Sequence, residues 1–405
     1  MTLNVTCPFC SLLCDDLSIR ARGSRLTVSA NACKLARQGF SLPAPAVEAR
    51  IAGVVAPLER ALTRAARLLQ KSRKTLIAGL GTDVNGLRAA LRLAERIDAA
   101  LWHEQEPYAL QNLKALQARG GIMTTLGEVK NRADTVLFIG NNVTGNHPRF
   151  IERYINPVHA LFAGKHRKLG YLGKPGRTEL DGCDAHELVV LSGRRSHGLA
   201  NHLALLRAAL TQPQWLAAAA LPAPKRNKLK QLVDMVGNAQ YGALVWSPAA
   251  LPQDQADLII HACLDLLRDL NVKQRFAGLS LGGNNGGVSW QSVATWQTGF
   301  PAGVNFTNGR PSANGVQAAD ADCLLWVSGF NRQPPPALAV PTIILSPHQA
   351  GASAADVYLP TGVPGIDHGG NLFRTDGVIA LPLQKLRDRG APSAAEVIEQ
   401  IVERL

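Results

Sequence analysis

Four cysteines near the amino end of the chain have the residue type and the spacing to bind a metal. Cys7, Cys10 and Cys14 lie in CPFCSLLC, and Cys33 follows after eighteen residues in SANACKL. Four thiolates satisfy either a tetrahedral zinc ion or a [4Fe–4S] cluster. Because zinc ribbons usually pair two C-x2-C units, this spacing favours the cluster. Zinc, or metal-free packing of small buried cysteines, is the alternative.

Two apolar runs that end in glycine are the next candidates for ligand contact. KTLIAGLGTD ends at Gly79 to Asp83, and ADTVLFIGNN ends at Gly140 to Asn142. Ligands of doubly wound sheets lie beyond the carboxyl ends of strands, where both loops fall. Neither loop has a full dinucleotide or P-loop fingerprint, and a tight strand-to-helix turn explains the glycines as well. We expect turns at both places.

The elements that hold these residues follow from hydrophobic periodicity. LERALTRAARLLQKS, NGLRAALRLAERIDA and DQADLIIHACLDLLRDL have helical spacing. KTLIAGLGTD, ADTVLFIGNN, KLGYLG, HELVVL, GALVWSP, DCLLWVSG and PTIILSP are short apolar runs typical of buried strands. Such strands, alternating with helices, indicate parallel sheets covered on both faces. The predicted fold class is α/β, with a small N-terminal cysteine-cluster domain followed by two doubly wound parallel-sheet domains.

Two proline-rich breaks, SLPAPAVEARIAGVVAP and TQPQWLAAAALPAPKRNK, predict the domain boundaries. The first ends a four-cysteine domain at residues 1–50, and the second separates an α/β domain at 51–214 from another at 215–360. Residues 361–405 are predicted to return to the earlier domains.

Composition and charge narrow the class of protein. The chain has 405 residues, 46% of them hydrophobic, which predicts a multi-domain globular protein. It contains no run of about eighteen apolar residues and no room for a signal peptide before the cysteines, so we expect a cytoplasmic protein without membrane association. The net charge of +13 favours an acidic partner. Few aromatic residues lie between the basic ones, so nucleic acid is not expected, and solvated helix faces are the simpler interpretation.

The chain resembles the B subunit of formylmethanofuran dehydrogenase, of the molybdopterin oxidoreductase superfamily, in seven motifs: CPFCSLLCDDL, NACKLARQGF, TLGEVKNRAD, GNNVTGNHPRF, TWQTGFP, NGRP and GNLFRTDG. The resemblance covers nearly the whole chain. It implies an N-terminal [4Fe–4S] domain and α/β domains of the molybdopterin-oxidoreductase type. In active members these domains hold a tungsten or molybdenum bis-pterin cofactor, which interconverts carbon dioxide and formate. A hydrolase-like partner attaches the formate to methanofuran.

Two segments depart from the pattern of the active relatives. Their Cys-His-Gly-Pro stretch, whose cysteine binds the metal, matches LWHEQEP, with Trp102 at the cysteine position, His103 at the histidine and Glu104 at the glycine. An indole N–H donates hydrogen bonds and cannot replace a thiolate ligand. Their Arg-Gly-His segment at the formate site matches LGGNNGG, with Gly282 at the arginine position and Asn284 at the histidine. We expect no catalytic residue in this chain and no tungsten or molybdenum bis-pterin.

Other family positions survive in GNNVTGNHPRF and GNLFRTDG. The resemblance implies that Asn142, His147 and Arg149 are vestigial cofactor-binding residues, and Arg374 lies in the second motif. A lone histidine is more often a hydrogen-bonded structural residue than a catalyst. We therefore expect these side chains to hold loops together or to contact other subunits.

The chain also resembles the B subunit of the methylotroph formyltransferase/hydrolase complex, which releases formate from a formylated carrier without redox chemistry. The resemblance implies the hydrolase-like A subunit, the C subunit and the formyltransferase D subunit as partners, and it places the hydrolase and formyltransferase sites in these other subunits. We expect a structural subunit in the oxidation of formaldehyde to formate, in which basic residues at 165–177 hold the acidic tail of a furan-type carrier. The alternative is an active tungsten or molybdenum dehydrogenase subunit with another metal ligand. A basic metal-binding module for nucleic acid is a remote third possibility.

Overall fold

The computed structural model describes residues 2–43, 47–156, 161–162, 166–192, 198–313 and 318–405. The strands, in chain order, are β1 Thr2–Val5, β2 Leu17–Arg22, β3 Arg25–Ala30, β4 Ala49–Ile51, β5 Val54–Ala56, β6 Thr75–Gly81, β7 Ala100–His103, β8 Thr135–Ile139, β9 Arg167–Leu172, β10 Ala185–Leu191, β11 Gly242–Trp246, β12 Phe276–Ser280, β13 Asn305–Thr307, β14 Arg310–Ser312, β15 Cys323–Ser328, β16 Thr342–Ser346, β17 Val357–Pro360, β18 Gly370–Phe373 and β19 Ala380–Leu383.

The α-helices, in chain order, are α1 Lys34–Phe40, α2 Leu58–Lys71, α3 Val84–Ile97, α4 Glu106–Arg119, α5 Leu126–Arg132, α6 Gly198–Thr211, α7 Pro213–Ala218, α8 Ala223–Gly237, α9 Ala256–Leu270, α10 Gly287–Thr298 and α11 Ala394–Val402. A π-helical turn covers Ile151–Ile155, and short 3-10 turns cover Pro248–Ala250 and Ala318–Asp320. None of the helices in the described ranges is both long and apolar enough to cross a lipid bilayer.

One compact unit, Met1–Glu106 with Gly283–Leu405, is built on a nine-stranded sheet. The sheet order is β14-β13-β7-β6-β15-β16-β17-β4-β5, and the central run from β7 to β17 is parallel. Every residue of β6 is buried, as expected for a strand covered on both faces. Helix α2 buries alanines and leucines at three- and four-residue spacing and exposes its charged residues, which explains its predicted amphipathic pattern.

The other compact unit, Pro107–Gly282, is built on a fully parallel sheet of order β10-β9-β8-β11-β12. The chain winds outward from β8 to β10 and then returns to β11, so the winding reverses between β8 and β11. In the first unit the winding reverses between β6 and β15. These reversals are the switch points at which doubly wound sheets bind ligands. The predicted α/β class with two parallel-sheet bodies is confirmed.

The predicted domain boundaries differ from these compact units. Strand β8 pairs with β9 on one side and with β11 on the other, so residues before and after the predicted boundary at 214 share one sheet. The proline-rich segment there forms α7 and the start of α8 inside that unit. Strands β6 and β15 pair although almost 250 residues separate them. Pairing across such distances leaves no signal in local composition.

The cysteine segment belongs to a small antiparallel sheet of order β1-β2-β3. CPFCSLLC forms the loop between β1 and β2, and α1 begins directly after the fourth cysteine. Leu17, Ile19 and Leu26 are buried on one face of the sheet. Phe9 contacts Phe40 edge to face with 5.1 Å between ring centroids. This small core explains how a short segment is held in place.

Candidate functional site

The cysteine loop is closed by its own backbone. The Cys7 N–H donates to the Cys14 carbonyl at 2.8 Å, and Cys7, Cys10 and Cys14 are all buried. Cys33 is the N-cap of α1, where its Sγ accepts a hydrogen bond from the Ala36 N–H at 3.4 Å. A side-chain acceptor at this position satisfies one of the free N–H groups of the first helical turn.

The fold brings all four predicted thiols into one electrostatic environment. Burial raises the pKa of the Cys7 thiol well above its usual value, and the nearby Cys10, Cys14 and Cys33 raise it further. A thiolate at Cys7 therefore needs a positive partner such as a metal. Within the described ranges, no three His, Cys, Asp or Glu side chains converge as ligands of one metal ion. The residue types of the four cysteines match the thiolate ligands of a [4Fe–4S] cluster.

The predicted metal-ligand position lies at the carboxyl end of β7. Trp102 is half-buried and packs against a core of small and apolar residues from β6 and β15. His103 is fully buried, and its Nδ1 accepts a hydrogen bond from the Gln105 N–H at 3.0 Å. The proton therefore lies on Nε2, which donates to the carbonyl of Asn285 at 3.1 Å. Both ring nitrogens are satisfied by the chain itself.

The loop at residues 283–286 lies in LGGNNGG and is hydrogen-bonded to LWHEQEP, the other segment that departs from the pattern of the active relatives. The Asn285 side-chain amide donates to Glu104 Oε1 at 2.9 Å. The neighbouring Asn284 Oδ1 accepts a hydrogen bond from the Ser11 N–H, inside the cysteine loop, at 2.8 Å. Three segments that sequence reasoning singled out separately, CPFCSLLC, LWHEQEP and LGGNNGG, are therefore joined by hydrogen bonds.

The same loop fills the switch point of this unit. A Cβ on Gly81, at the end of β6, would lie 2.7 Å from the Asn285 side-chain nitrogen, and the Gly329 N–H donates to the Gly81 carbonyl at 2.6 Å. A cavity of about 10 Å³ lies between the cysteine loop, residues 283–286 and residues 372–373. That volume suits about one water molecule. Here the chain's own side chains occupy the region where doubly wound sheets bind ligands.

The glycines of GLGTD make a strand-to-helix turn, as predicted. Gly79 has φ +78°, and a Cβ there would lie 2.6 Å from the Val327 carbonyl oxygen. Asp83 is the N-cap of α3 and accepts from the Gly86 N–H at 3.2 Å. The Asp83 carboxylate occupies the helix terminus that would otherwise attract an anion.

Acid is expected to weaken the fold through His103. Burial lowers the pKa of this imidazole from 6.5 to about 4, so the unfolded chain binds the proton first as the pH falls. The contribution of the neutral His103 to the free energy of unfolding is therefore complete above pH 6.5 and is lost progressively as the pH falls toward 4. Between about pH 7 and pH 5 the linked loss is about 2 kcal/mol, measured as the fall in the free energy of urea unfolding.

His166 is the matched control for this prediction. Its side chain is 40% exposed, beside Asp184. His103→Gln should show a pH dependence smaller by about 2 kcal/mol than that of the wild type, and His166→Gln, which removes an exposed imidazole, is the control. An unchanged pH dependence in His103→Gln would show that this histidine titrates normally in the folded protein.

The predicted vestigial residues lie after β8, at the switch point of the other unit. Asn142 has φ +51°, and its N–H donates to the Lys174 carbonyl at 3.0 Å. His147 is buried, and burial lowers its pKa to about 4. Arg149 is also buried and binds Glu152 through two hydrogen bonds, of 2.9 and 2.5 Å. The guanidinium therefore stabilises the turn from Arg149 to Glu152. A role of Asn142, His147 and Arg149 in binding a cofactor stays a prediction.

Sequence reasoning missed Glu179, which organises this loop. Its carboxylate accepts hydrogen bonds from the Thr144 N–H at 2.7 Å, the Tyr171 hydroxyl at 2.8 Å and the Gly176 N–H at 2.7 Å. Burial, together with the charge of Glu179, raises the pKa of the Tyr171 phenol and keeps it protonated as a donor. A single glutamate in an irregular segment has no pattern that reveals this role.

Glu106 is a second missed carboxylate, in the unit with the cysteines. It is buried, and burial raises its pKa. It accepts hydrogen bonds from the Gly303 N–H at 2.6 Å and the Trp290 indole at 3.3 Å. This glutamate therefore joins the end of β7 to α10.

Comparison with known proteins adds independent information. The chain is 32% identical to the B subunit of the formyltransferase/hydrolase complex Fhc of Methylorubrum extorquens over 343 residues, 82% of this chain and 89% of that relative. It is 27% identical to the B subunit of the tungsten-containing formylmethanofuran dehydrogenase 2 of Methanococcus maripaludis, over 99% of this chain and 98% of that relative. No model of a known protein family matches the chain.

A solved structure is similar along most of the chain. It is a chain from the X-ray crystal structure of the formyltransferase/hydrolase complex (FhcABCD) of Methylorubrum extorquens in complex with methylofuran. The TM-score is 0.74 and the identity 29%, with 88% of this chain and 98% of that chain covered. The similarity therefore extends from sequence to fold.

Proposed function

Because this chain belongs to the family that contains the B subunits of formylmethanofuran dehydrogenase and of the formyltransferase/hydrolase complex, we propose that it is the B subunit of a formyltransferase/hydrolase complex in one-carbon metabolism. It acts in the cytoplasm with the other subunits of that complex, which carry the hydrolase and formyltransferase sites. The complex holds a furan-type carrier and releases formate from it, and this chain contributes structure.

The end of β7 is the observation that supports a structural role. Trp102 stands where the resemblance places a metal-binding thiolate, and an indole cannot supply that bond. His103 and Glu104 are hydrogen-bonded to Asn285 from within the same unit. These residues do not fit a thiolate-bound tungsten or molybdenum, so no redox step is assigned to them.

The second candidate is an active tungsten or molybdenum dehydrogenase subunit. It is favoured by the similarity to a tungsten-containing enzyme over 99% of this chain and by the presence of four cysteines in the N-terminal segment. It would require a metal ligand other than Trp102.

Elemental analysis distinguishes these two functions. We expect the complex, purified from its source without oxygen, to contain the other formyltransferase/hydrolase subunits, no stoichiometric tungsten or molybdenum, and no formate-dependent dye reduction. Stoichiometric tungsten or molybdenum together with dye reduction would establish the dehydrogenase instead.

We also propose that Cys7, Cys10, Cys14 and Cys33 hold a [4Fe–4S] cluster with a structural role. Bound there, the cluster would link the loop after β1 to the start of α1, and its electron-transfer chemistry would have no metal-pterin partner. Iron and sulfide analysis should give about four of each per chain. Cys10→Ser should lose the iron and lower the melting temperature. The control Cys183→Ser should keep the iron and the melting temperature of the wild type. Zinc, or no metal, in the wild type would refute the cluster.

A further inference from the structure

Helix α2 carries a continuous stripe of positive charge on its exposed face. Arg60, Arg64, Arg67 and Lys71 are all exposed and recur at four-, three- and four-residue intervals. At 100° per residue these four positions fall within about 60° of the helix circumference, and they span about 16 Å along it. We name these four residues the α2 stripe.

The charges of the α2 stripe are not neutralised within the described part of the chain. None of the four residues has an ion-pair partner there. The one acidic residue of the helix, Glu59, pairs with Arg404 instead. Like charges at i and i+4 repel each other on an isolated helix, so this face is electrostatically costly unless an anionic surface covers it.

An exposed apolar edge lies next to one of the strands on which α2 packs. Helix α2 packs on β17 and β4, and β4 pairs with β5, which has no further neighbour among the described strands. Val54 and Val55 of β5 are 71% and 52% exposed, and Val47, just before β4, is 57% exposed. An apolar centre beside charged residues is the usual composition of a protein–protein interface.

We propose that the α2 stripe and the β4–β5 edge form the docking surface for an acidic face of another subunit of the complex. This inference rests on the proposed function, which supplies the partner. A membrane is disfavoured because the apolar face of α2 is buried in the core. Nucleic acid is disfavoured because no aromatic residue lies within α2 for stacking on bases.

The basic segment predicted to hold the carrier, residues 165–177, is only partly exposed. Residue 165 lies outside the described residues. Arg167 is buried and donates to backbone carbonyls, and His166 lies beside Asp184. Reversing the charge of Arg167 would disturb folding, whereas Lys174 and Arg177 of the same segment are exposed. The α2 stripe can be reversed without loss of buried contacts.

The test compares two charge-reversed variants within the complex. One is Arg60→Glu, Arg64→Glu, Arg67→Glu and Lys71→Glu. The control reverses four exposed cations elsewhere: Lys114→Glu, Lys230→Glu, Lys273→Glu and Arg275→Glu. Each substitution of a cation by glutamate lowers the net charge by two, so both variants change the net charge from +13 to +5. Tagged chains are co-expressed with the other subunits, and binding is measured at about 50 mM and about 300 mM salt.

The stripe variant should fold like the wild type and recover at least about ten-fold less of the partner subunits at low salt, with little remaining salt dependence. The control should bind like the wild type. Val54→Ser with Val55→Ser should weaken binding equally at both salt concentrations.

Three results would overturn the docking surface. One is unchanged binding by the stripe variant, which leaves the proposed function intact. Another is an equal loss in the control, which indicates a general charge effect. The third is stripe-dependent binding of duplex DNA without loss of the partner subunits. A wild-type chain that recovers no formyltransferase/hydrolase subunit refutes the proposed function, and with it this surface.

Discussion

Arg387→Met is expected to lower the free energy of unfolding by about 3 to 5 kcal/mol. Arg387 and Asp367 form a buried ion pair with side chains 2% and 1% exposed, joined by bonds of 2.5 and 3.3 Å. The methionine fills similar space but leaves the Asp367 carboxylate charged and uncompensated. The Val363 N–H, at 2.9 Å, remains as one donor to it. Urea unfolding followed by circular dichroism measures the loss.

This pair also fixes the cysteine-bearing segment. Arg387 Nη1 donates to the Ser24 carbonyl at 3.1 Å and lies 3.5 Å from the Leu42 carbonyl oxygen. Both carbonyls belong to the segment that contains the four cysteines. The variant should therefore also release residues near Ser24 and Leu42, seen as faster amide hydrogen exchange there than in the wild type.

A double-mutant cycle separates the ion pair from simple loss of packing. Asp367→Asn with Arg387→Met removes both charges and keeps an oxygen for the Val363 N–H, so it should be more stable than Arg387→Met alone. The control is Lys385→Met, which breaks the exposed pair with Asp388 (side chains 49% and 75% exposed) and should cost less than about 1 kcal/mol. Additive effects in the cycle would show that the charges are not coupled.

Arg167→Met is expected to cost at least about 3 kcal/mol. The Arg167 guanidinium is buried and donates to the Ala133 carbonyl at 2.8 Å and to the carbonyls of Lys130 and Ile155. These groups lie at the carboxyl ends of α5 and of the π-helical turn, where carbonyls lack partners within the helix. Methionine would leave the Ala133 and Ile155 carbonyls buried and unsatisfied, and each such group costs about 1 to 3 kcal/mol.

Two further variants give this prediction its controls. Arg167→Lys keeps the charge but replaces the planar fork with a single ammonium, so an intermediate loss is expected. Arg132→Met removes an exposed i, i+4 pair with Glu128 (side chains 44% and 39% exposed) and should cost less than about 1 kcal/mol. If Arg167→Met is as stable as Arg132→Met, the carbonyls must find other donors in the variant.

The local elements could be predicted because their signals are local. LERALTRAARLLQKS forms α2 and NGLRAALRLAERIDA forms α3, as their periodicity predicted. The apolar runs KTLIAGLGTD, ADTVLFIGNN and GALVWSP form β6, β8 and β11. A buried parallel strand is apolar on both faces, and a covered helix is apolar on one, so the chain itself records which element it forms.

The compact units could not be predicted in the same way. The boundary expected at residue 214 lies inside a unit because β8 pairs on both sides, and the pairing of β6 with β15 closes the other unit. Proline-rich composition marks a change of direction but does not show which strands meet afterwards. Strand order depends on contacts between distant residues, which single-sequence patterns do not contain.

The sequence by itself determined the α/β class, the four cysteines, the departure at Trp102 and the family resemblance, because each is a property of residue type and short spacing. Only the tertiary structure showed that Asn285 satisfies His103 and Glu104 and that Asn284 is bonded to the cysteine loop. It also showed that the basic segment at 165–177 contains a buried arginine, whereas α2 exposes its charge. Burial and hydrogen bonding between distant residues depend on how the sheets assemble, so they exist only in the folded chain.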